Sequence, residues 1–423
     1  MAKIVANEFV LNVNHENLKD MIKRSYYSNV PVMIWGAPGI GKSSVVRQAA
    51  EEIAQRATEQ GLEFLEWNKL NSAQRKALAS ATDNTGKFIY GDCRLSQYDP
   101  SDWAMPWVQS GDDTDMVWAP SQMLRAFAVP GTQGMLFLDE LPQAQPSVQN
   151  AAYQIILDRM YKDVCFQNIR MVAAGNRTMD GGNQYAYPPA LANRFTHVEL
   201  MSPDGKEWVQ NWARDNGVHP LICAFIQARP HMLYEDTGKT ENRRYAWPSP
   251  RSWEMASKLL YSGAQYESSN AEAWVSQAFN LLYVSVGKGA AMEFQAYMLT
   301  LHDVFLEDFL KDPNKIEDAS TDVQLGIQAM LEFHAKNVAK KSADKDKIKL
   351  LEQVVAILEC NFRADMKCMF FGGVLRAFRE SQSVSGWSVI TKILHGKDNA
   401  KLLERYEKQY FRQAEMLTGK KIK

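Results

Sequence analysis

Residues 36–44 read Gly36-Ala37-Pro38-Gly39-Ile40-Gly41-Lys42-Ser43-Ser44. Gly36, four residues, then Gly41, Lys42 and Ser43 make a loop whose backbone turns tightly enough to aim successive N–H groups at one anion. Lys42 adds a point charge for outer phosphates, and the Ser43 hydroxyl is a ligand for Mg²⁺. The run "VPVMIW" at 30–35 has the length and apolarity of a buried strand. After the loop, Val45, Val46, Ala49, Ile53 and Ala57 recur at helical spacing. A helix starting there turns its N-terminus and dipole toward the phosphates. Chance alone produces the loop pattern in roughly 2% of chains this long. With strand and helix in place the stretch reads as a nucleotide phosphate cradle inside an α/β fold.

A phosphate loop needs a second motif to complete the metal shell and activate water. "GMLFLDEL" at 134–141 supplies it: four apolar residues, Met135 to Leu138, lead into Asp139 and Glu140. Asp139 is placed to hold Mg²⁺, and Glu140 to orient and deprotonate the attacking water. "IRMVAAGNR" at 169–177 is a further apolar run, ending in Asn176, whose amide is suited to placing that water. "PPALANRFTHVEL" at 188–200 sets Arg194 just before another strand, a cation suited to charge developing in phosphoryl transfer. In "YAWPSPRSWEMASKLL" at 245–260, prolines and Ser249 signal a helix start with Arg251 in its first turn. A cation there opposes the helix dipole, which favours a functional role for it.

The order of these motifs resembles the AAA+ ATPases, and the MoxR branch more closely. "RLSQYDPSDWAMPW" at 94–107 is similar to that branch's segment ahead of the second motif, and "SPRS" at 249–252 to its sensor 2. The resemblance spans roughly residues 15–300. It implies ATP hydrolysis with ATP and Mg²⁺ as cofactors, Asn176 as sensor 1, Arg251 as sensor 2, and Arg194 as an arginine finger reaching a neighbouring copy's nucleotide. It also implies a ring, usually a hexamer, acting chaperone-like on a protein client, often beside a partner bearing a von Willebrand factor A domain. One departure stands out: Pro142 and Gln143 occupy positions where the branch usually carries Asn and Arg.

The expected architecture is a parallel-sheet AAA+ P-loop core over residues 1–202, a helical lid over 203–300 and an all-α region over 301–423. Strands are expected near 31–35, 88–94, 134–139, 170–175 and 195–200, preceded by a helix at 14–27 capped by Asn14. Residues 59–87, a polar stretch, are expected to extend the helix after the phosphate loop. Residues 96–133 carry an insert with Trp103, Trp107 and Trp118, and 159–168 a short hairpin. Trp103, Met105 and Trp107 form a candidate gripping surface, though packing down of the insert is the favoured reading, since aromatic residues are mostly buried. The acidic loop "SGDDTDM" at 110–116 is expected to be solvated, "KNVAKKSADKDKIK" at 336–349 to be a solvated helix face or turn, and 360–378 to be core or docking surface.

Composition narrows the function classes. The chain has 423 residues and a formal net charge of −1, enough for two or three domains and no general polyanion binder. The five cysteines form no CxxC pair and the seven histidines no HExxH, so free thiols are expected and a zinc hydrolase has no support. No apolar run is long enough for a membrane span and no N-terminal signal pattern occurs, so a cytoplasmic protein is expected. Two main classes follow: an ATP-driven remodeller of a partner protein, and a nucleic-acid motor, clamp-loader-like or restriction-type subunit. The near-neutral charge and missing basic aromatic stripe count against the second. A slowly hydrolysing assembly scaffold is the third.

Overall fold

The computed structural model describes residues 10–57, 59–109, 115–177, 180, 185, 187–236, 245–263, 271–301, 306–382, 386–394 and 399–418. They divide into two compact units. The first runs to Pro203 and takes in Asp236; the second comprises Asp204–Glu235 and the helical residues beyond.

The first unit is built on strands β1 (Leu11–Val13), β2 (Val32–Trp35), β3 (Glu63–Glu66), β4 (Lys87–Arg94), β5 (Ala104–Gln109), β6 (Asp115–Pro120), β7 (Gln133–Asp139), β8 (Met160–Tyr161), β9 (Val164–Cys165), β10 (Ile169–Gly175) and β11 (Thr196–Leu200). Seven of them form one sheet in the order β1-β11-β2-β10-β7-β4-β3, all neighbours parallel. Its interior strands are near-continuous apolar runs because helices cover both faces. Met135, Leu136, Phe137 and Leu138 on β7 are fully buried, each stabilising the fold by roughly 1.5–3 kcal/mol. The helices of this unit are α1 (His15–Ser28), α2 (Lys42–Arg56), α3 (Ser72–Ala79), α4 (Gln122–Ala128), α5 (Pro146–Asp158) and α6 (Pro189–Ala192). Asn14 caps α1, accepting from the Asn17 N–H. β10 lies between β2 and β7, so the chain following β10 emerges between the ends of both motif-bearing strands.

Residues 59–87 do not extend α2. The helix stops at Arg56, Gly61 turns the chain at φ +71°, and the Leu62 N–H donates back to the Ala54 carbonyl at 2.8 Å. The chain then enters β3, where Phe64 opposes Phe88 in the ladder and sits against the rings of Phe88 and Tyr90. Burial of that aromatic face overrides the polar composition around it.

The insert is a hairpin, β5–β6, followed by α4. Packing holds for Trp103, which is fully buried, but not for Met105 and Trp107, which are 60% and 65% exposed. Val117, opposite Trp107 in the hairpin, is exposed as well. The second hairpin, β8–β9, lies alongside: the Lys162 ammonium sits 4.2 Å from the Trp118 ring centroid. Most of the acidic loop at 110–116 lies outside the described residues.

Among the described residues the second unit is built of helices: α7 (Gly205–Trp208), α8 (Pro220–Ala228), α9 (Pro250–Ser262), α10 (Ala271–Val286), α11 (Lys288–Thr300), α12 (Leu306–Lys311), α13 (Thr321–Lys341), α14 (Asp344–Glu359), α15 (Ala364–Gln382), α16 (Gly386–Leu394) and α17 (Ala400–Thr418). One apolar core runs through it from Trp208 on α7 to Tyr406 on α17. The segments 203–300 and 301–423 therefore share a core. The charged stretch at 336–349 covers the end of α13, the turn at Ser342 and Ala343, and the start of α14, and Phe370, Phe371, Val374 and Phe378 of α15 are core. Where α8, α13 and α15 meet, Glu332 is held by Arg376 at 3.3 Å and by the Gln328 amide at 2.8 Å, while Gln328 Oε1 accepts from Arg214. Although burial opposes its ionisation, Arg376 and Arg214 keep the Glu332 carboxyl below the ordinary range. Among the described residues no helix is long and apolar enough to cross a membrane.

Candidate active site

The phosphate loop joins β2 to α2 at the carboxyl end of the sheet, where parallel α/β folds place their ligands. Gly39 and Gly41 take φ of +79° and +100°, conformations that glycine enters without strain. Ala37 and Ile40 are buried, Pro38 and Gly39 half-buried, and Ser44 exposed in the first turn of α2. The Ile40 carbonyl is tied to His15 Nε2 on α1 at 2.8 Å, a support that the sequence pattern alone does not reveal.

The structure brings four of the expected site residues together. Lys42 Nζ donates to Gly36 O at 2.7 Å, Ala37 O at 2.9 Å and Asn176 Oδ1 at 2.9 Å. Ser43 Oγ donates to Asp139 Oδ2 at 3.0 Å. Asn176 reaches Lys42 because β10 pairs with β2, Gly175 lying opposite Trp35. Asp139 reaches Ser43 from the far side of β10.

Glu140 adopts left-handed backbone, φ 59° and ψ 30°, rare for a residue with a Cβ and typical of sites where geometry is imposed. Its N–H donates to Asp139 Oδ1 at 3.0 Å, and Ser96 Oγ donates to Glu140 Oε2. Ser96 lies just beyond β4, and only the folded sheet places it beside Glu140. Asp92, on β4 itself, is a third carboxylate at this end of the sheet. Burial, with the charges of Asp139 and Glu140, lifts its pKa to about 6, Arg94 opposing. Among the described residues its Oδ1 and the Tyr90 hydroxyl are buried without hydrogen-bond partners.

These groups fit a hydrated Mg²⁺. The donors are hard oxygens, and the carboxylates of Asp92, Asp139 and Glu140 gather negative charge there, with Arg94 opposing it. Among the described residues no group of three His, Cys, Asp or Glu forms a metal cage. The oxygens present for such an ion are the Ser43 hydroxyl and the Asp139 carboxylate, 3.0 Å apart.

Pro142 and Gln143, the departure from the branch pattern, form a short 3₁₀ turn after Glu140. A Cβ built on Gly175 would stand 2.6 Å from Pro142 Cγ and 2.7 Å from its Cδ. The turn after Asp139 therefore presses on the residue preceding Asn176. Gly175→Ala is expected to destabilise the fold by about 1–3 kcal/mol and to lower activity by displacing Asn176. Thermal melting and ATP turnover measured together check both effects.

Two arginines, Arg177 just beyond β10 and Arg194 just ahead of β11, differ in their surroundings. Arg177 is neutralised: it pairs with Asp180 at 2.6 Å, Glu199 at 3.4 Å and Asp236 at 3.5 Å. Arg194 has no carboxylate at ion-pair distance among the described residues; its guanidinium carbon sits 4.0 Å from the Tyr153 ring centroid on α5. Arg251 belongs to the helical unit, exposed in the first turn of α9, beside a capping box made by Ser249 and Ser252.

No protein-family model matches the chain, and no curated protein does. Among solved structures, PCH-2 of C. elegans is similar at 12% identity and a TM-score of 0.29, covering 68% of each chain. RuvB of Thermotoga maritima is similar at 15% identity and a TM-score of 0.27, covering 75% of this chain and 83% of that one. NtrX of Brucella abortus is similar at 13% identity and a TM-score of 0.28, covering 89% of this chain and 67% of that one. Likeness at this level assigns no activity; the geometry of the chain itself has to carry the reading.

Proposed function

We propose that the chain is an AAA+ ATPase that hydrolyses Mg-ATP at sites shared between adjacent copies and uses the resulting movement to remodel a partner protein. The observation that carries this reading is the meeting of Lys42, Ser43, Asp139 and Asn176 at one end of the sheet, with Glu140 beside them. Backbone N–H groups of the loop and Lys42 bind the phosphates. Ser43 and, through water, Asp139 would hold Mg²⁺, which would supply charge neutralisation to the phosphates. Glu140 takes a proton from the attacking water, which Asn176 helps to orient. Arg194 supplies positive charge to the nucleotide of the adjoining copy, and Arg251 acts as the second sensor.

The similarity of residues 94–107 and 249–252 to the MoxR branch supports a ring, of six by analogy, and a protein client rather than nucleic acid. The near-neutral charge of the chain favours the same choice. Met105 and Trp107 on the exposed hairpin offer apolar surface for such a client.

Lys42→Ala removes a charge-assisted contact to phosphate, so Mg-ATP affinity is expected to fall about 10- to 100-fold by calorimetry. The shared site is tested by mixing two inactive variants. Lys42→Ala retains Arg194 but binds nucleotide poorly; Arg194→Ala binds nucleotide but lacks the cation. Together they are expected to regain turnover at mixed interfaces. If the mixture stays as inactive as its parts, the shared-site reading falls.

A further inference from the structure

Among the described residues Arg194 has no carboxylate at ion-pair distance. Arg177, beyond β10, has three carboxylates; Arg194 has the face of Tyr153 at 4.0 Å. Its Nη1 is buried with no hydrogen-bond partner. An aromatic ring takes a guanidinium by its face and leaves the N–H donors in the guanidinium plane unspent. A carboxylate would occupy those donors and cancel the charge. Tyr153 stands on α5, whose Val148, Ala152, Ile155 and Ile156 are buried in the core, so the ring is mounted on a rigid element.

A second support fixes the backbone. Trp35 Nε1–H donates to His197 Nδ1 at 3.0 Å. The proton of a neutral His197 therefore lies on Nε2, 2.8 Å from the Ala192 carbonyl. Ala192 ends α6, two residues before Arg194, and Trp35 immediately precedes Gly36. The imidazole thus bolts the segment bearing Arg194 to the strand that feeds the phosphate loop.

We propose that Tyr153 and His197 are positioning residues for Arg194: the phenol ring sets the plane of the guanidinium and the imidazole sets the height of its backbone, presenting an unneutralised cation to a phosphoryl group. This rests on the reading of Arg194 as the arginine supplied to the adjoining copy.

The test uses full-length chains in the mixing assay. Tyr153→Phe keeps the ring and is expected to turn over ATP within about twofold of native. Tyr153→Leu loses the ring face; kcat is expected to drop about 5- to 30-fold at unchanged KM. Mixed with Lys42→Ala, Tyr153→Leu is expected to regain activity, because the partner delivers a well-held arginine. Mixed with Arg194→Ala, it is expected to stay low. His197→Ala is expected to give the same pattern. Trp35→Phe, which removes only the indole donor, should do so more weakly, providing a readout should a larger change unfold the chain. Recovery of Tyr153→Leu or His197→Ala with Arg194→Ala but not with Lys42→Ala would place the damage in the variant's own nucleotide pocket and overturn the proposal. Native turnover in both variants, or Phe falling as far as Leu, would overturn it too. Failure of the parent mixture, Lys42→Ala with Arg194→Ala, would bring down the shared site and this inference with it.

Discussion

Arg194→Ala is expected to bind Mg-ATP with nearly native affinity and to turn it over about 10³-fold or more slowly. An arginine supplied to the transferring phosphoryl group is worth ~10³–10⁵ in rate in other nucleotide hydrolases, because it meets charge that develops only in the transition state. The geometry distinguishes this arginine from Arg177, whose three ion pairs commit it to the end of β10 and to Glu199 on β11. Removing Arg177 would leave Asp180, whose side chain is 1% exposed, without its close partner, so that change should appear as lost stability. Nucleotide affinity by calorimetry and turnover by phosphate release separate the two cases. Normal hydrolysis by Arg194→Ala would remove it from the reaction altogether.

Glu140→Gln is expected to slow hydrolysis by about 10²–10⁴-fold while ATP stays bound. Glutamine keeps the length of the side chain and still accepts from Ser96 Oγ, so the left-handed turn at residue 140 stays supported. What it loses is the ability to take a proton from water. The variant should emerge from gel filtration carrying uncleaved ATP, detectable by chromatography of the acid-quenched protein. Recovery of ADP instead would mean that another group activates the water, and Asp92, lifted to about 6 by burial and its neighbours' charges, would be the next to change.

The interior strands were legible because both of their faces are buried: "VPVMIW", "MLFL" and "RMVAAG" are apolar runs that only a covered parallel sheet explains. β1 and β3 were not. They are edge strands of three and four residues, and "LNV" and "EFLE" carry polar residues that a one-sided edge tolerates. The phosphate loop, Asp139 and Glu140 could be named from local spacing alone, since consecutive backbone groups build those parts. Ser96, His15, Tyr153 and His197 could not. Each reaches its partner across 25 to 162 residues, as in His15 to Ile40 and Trp35 to His197, and depends on which strands lie side by side. Trp107 was misjudged for a related reason: burial statistics describe residues in packed layers, whereas the β5–β6 hairpin covers the face that bears Trp118 and leaves the face of Met105, Trp107 and Val117 exposed.

The three short bonds from Lys42 to Gly36, Ala37 and Asn176 also bear on how quickly a ligand is admitted. With its ammonium anchored inside the turn, the loop carries an internal stand-in for an anion's contacts and is already in shape when a triphosphate arrives. Capture then requires little ordering of the chain and consists largely of an exchange in which the lysine trades carbonyl oxygens for phosphate oxygens. On the proposed reading the same exchange would break the bond from Lys42 to Asn176, so that filling of the cradle is passed to the neighbouring strand through a single side-chain contact.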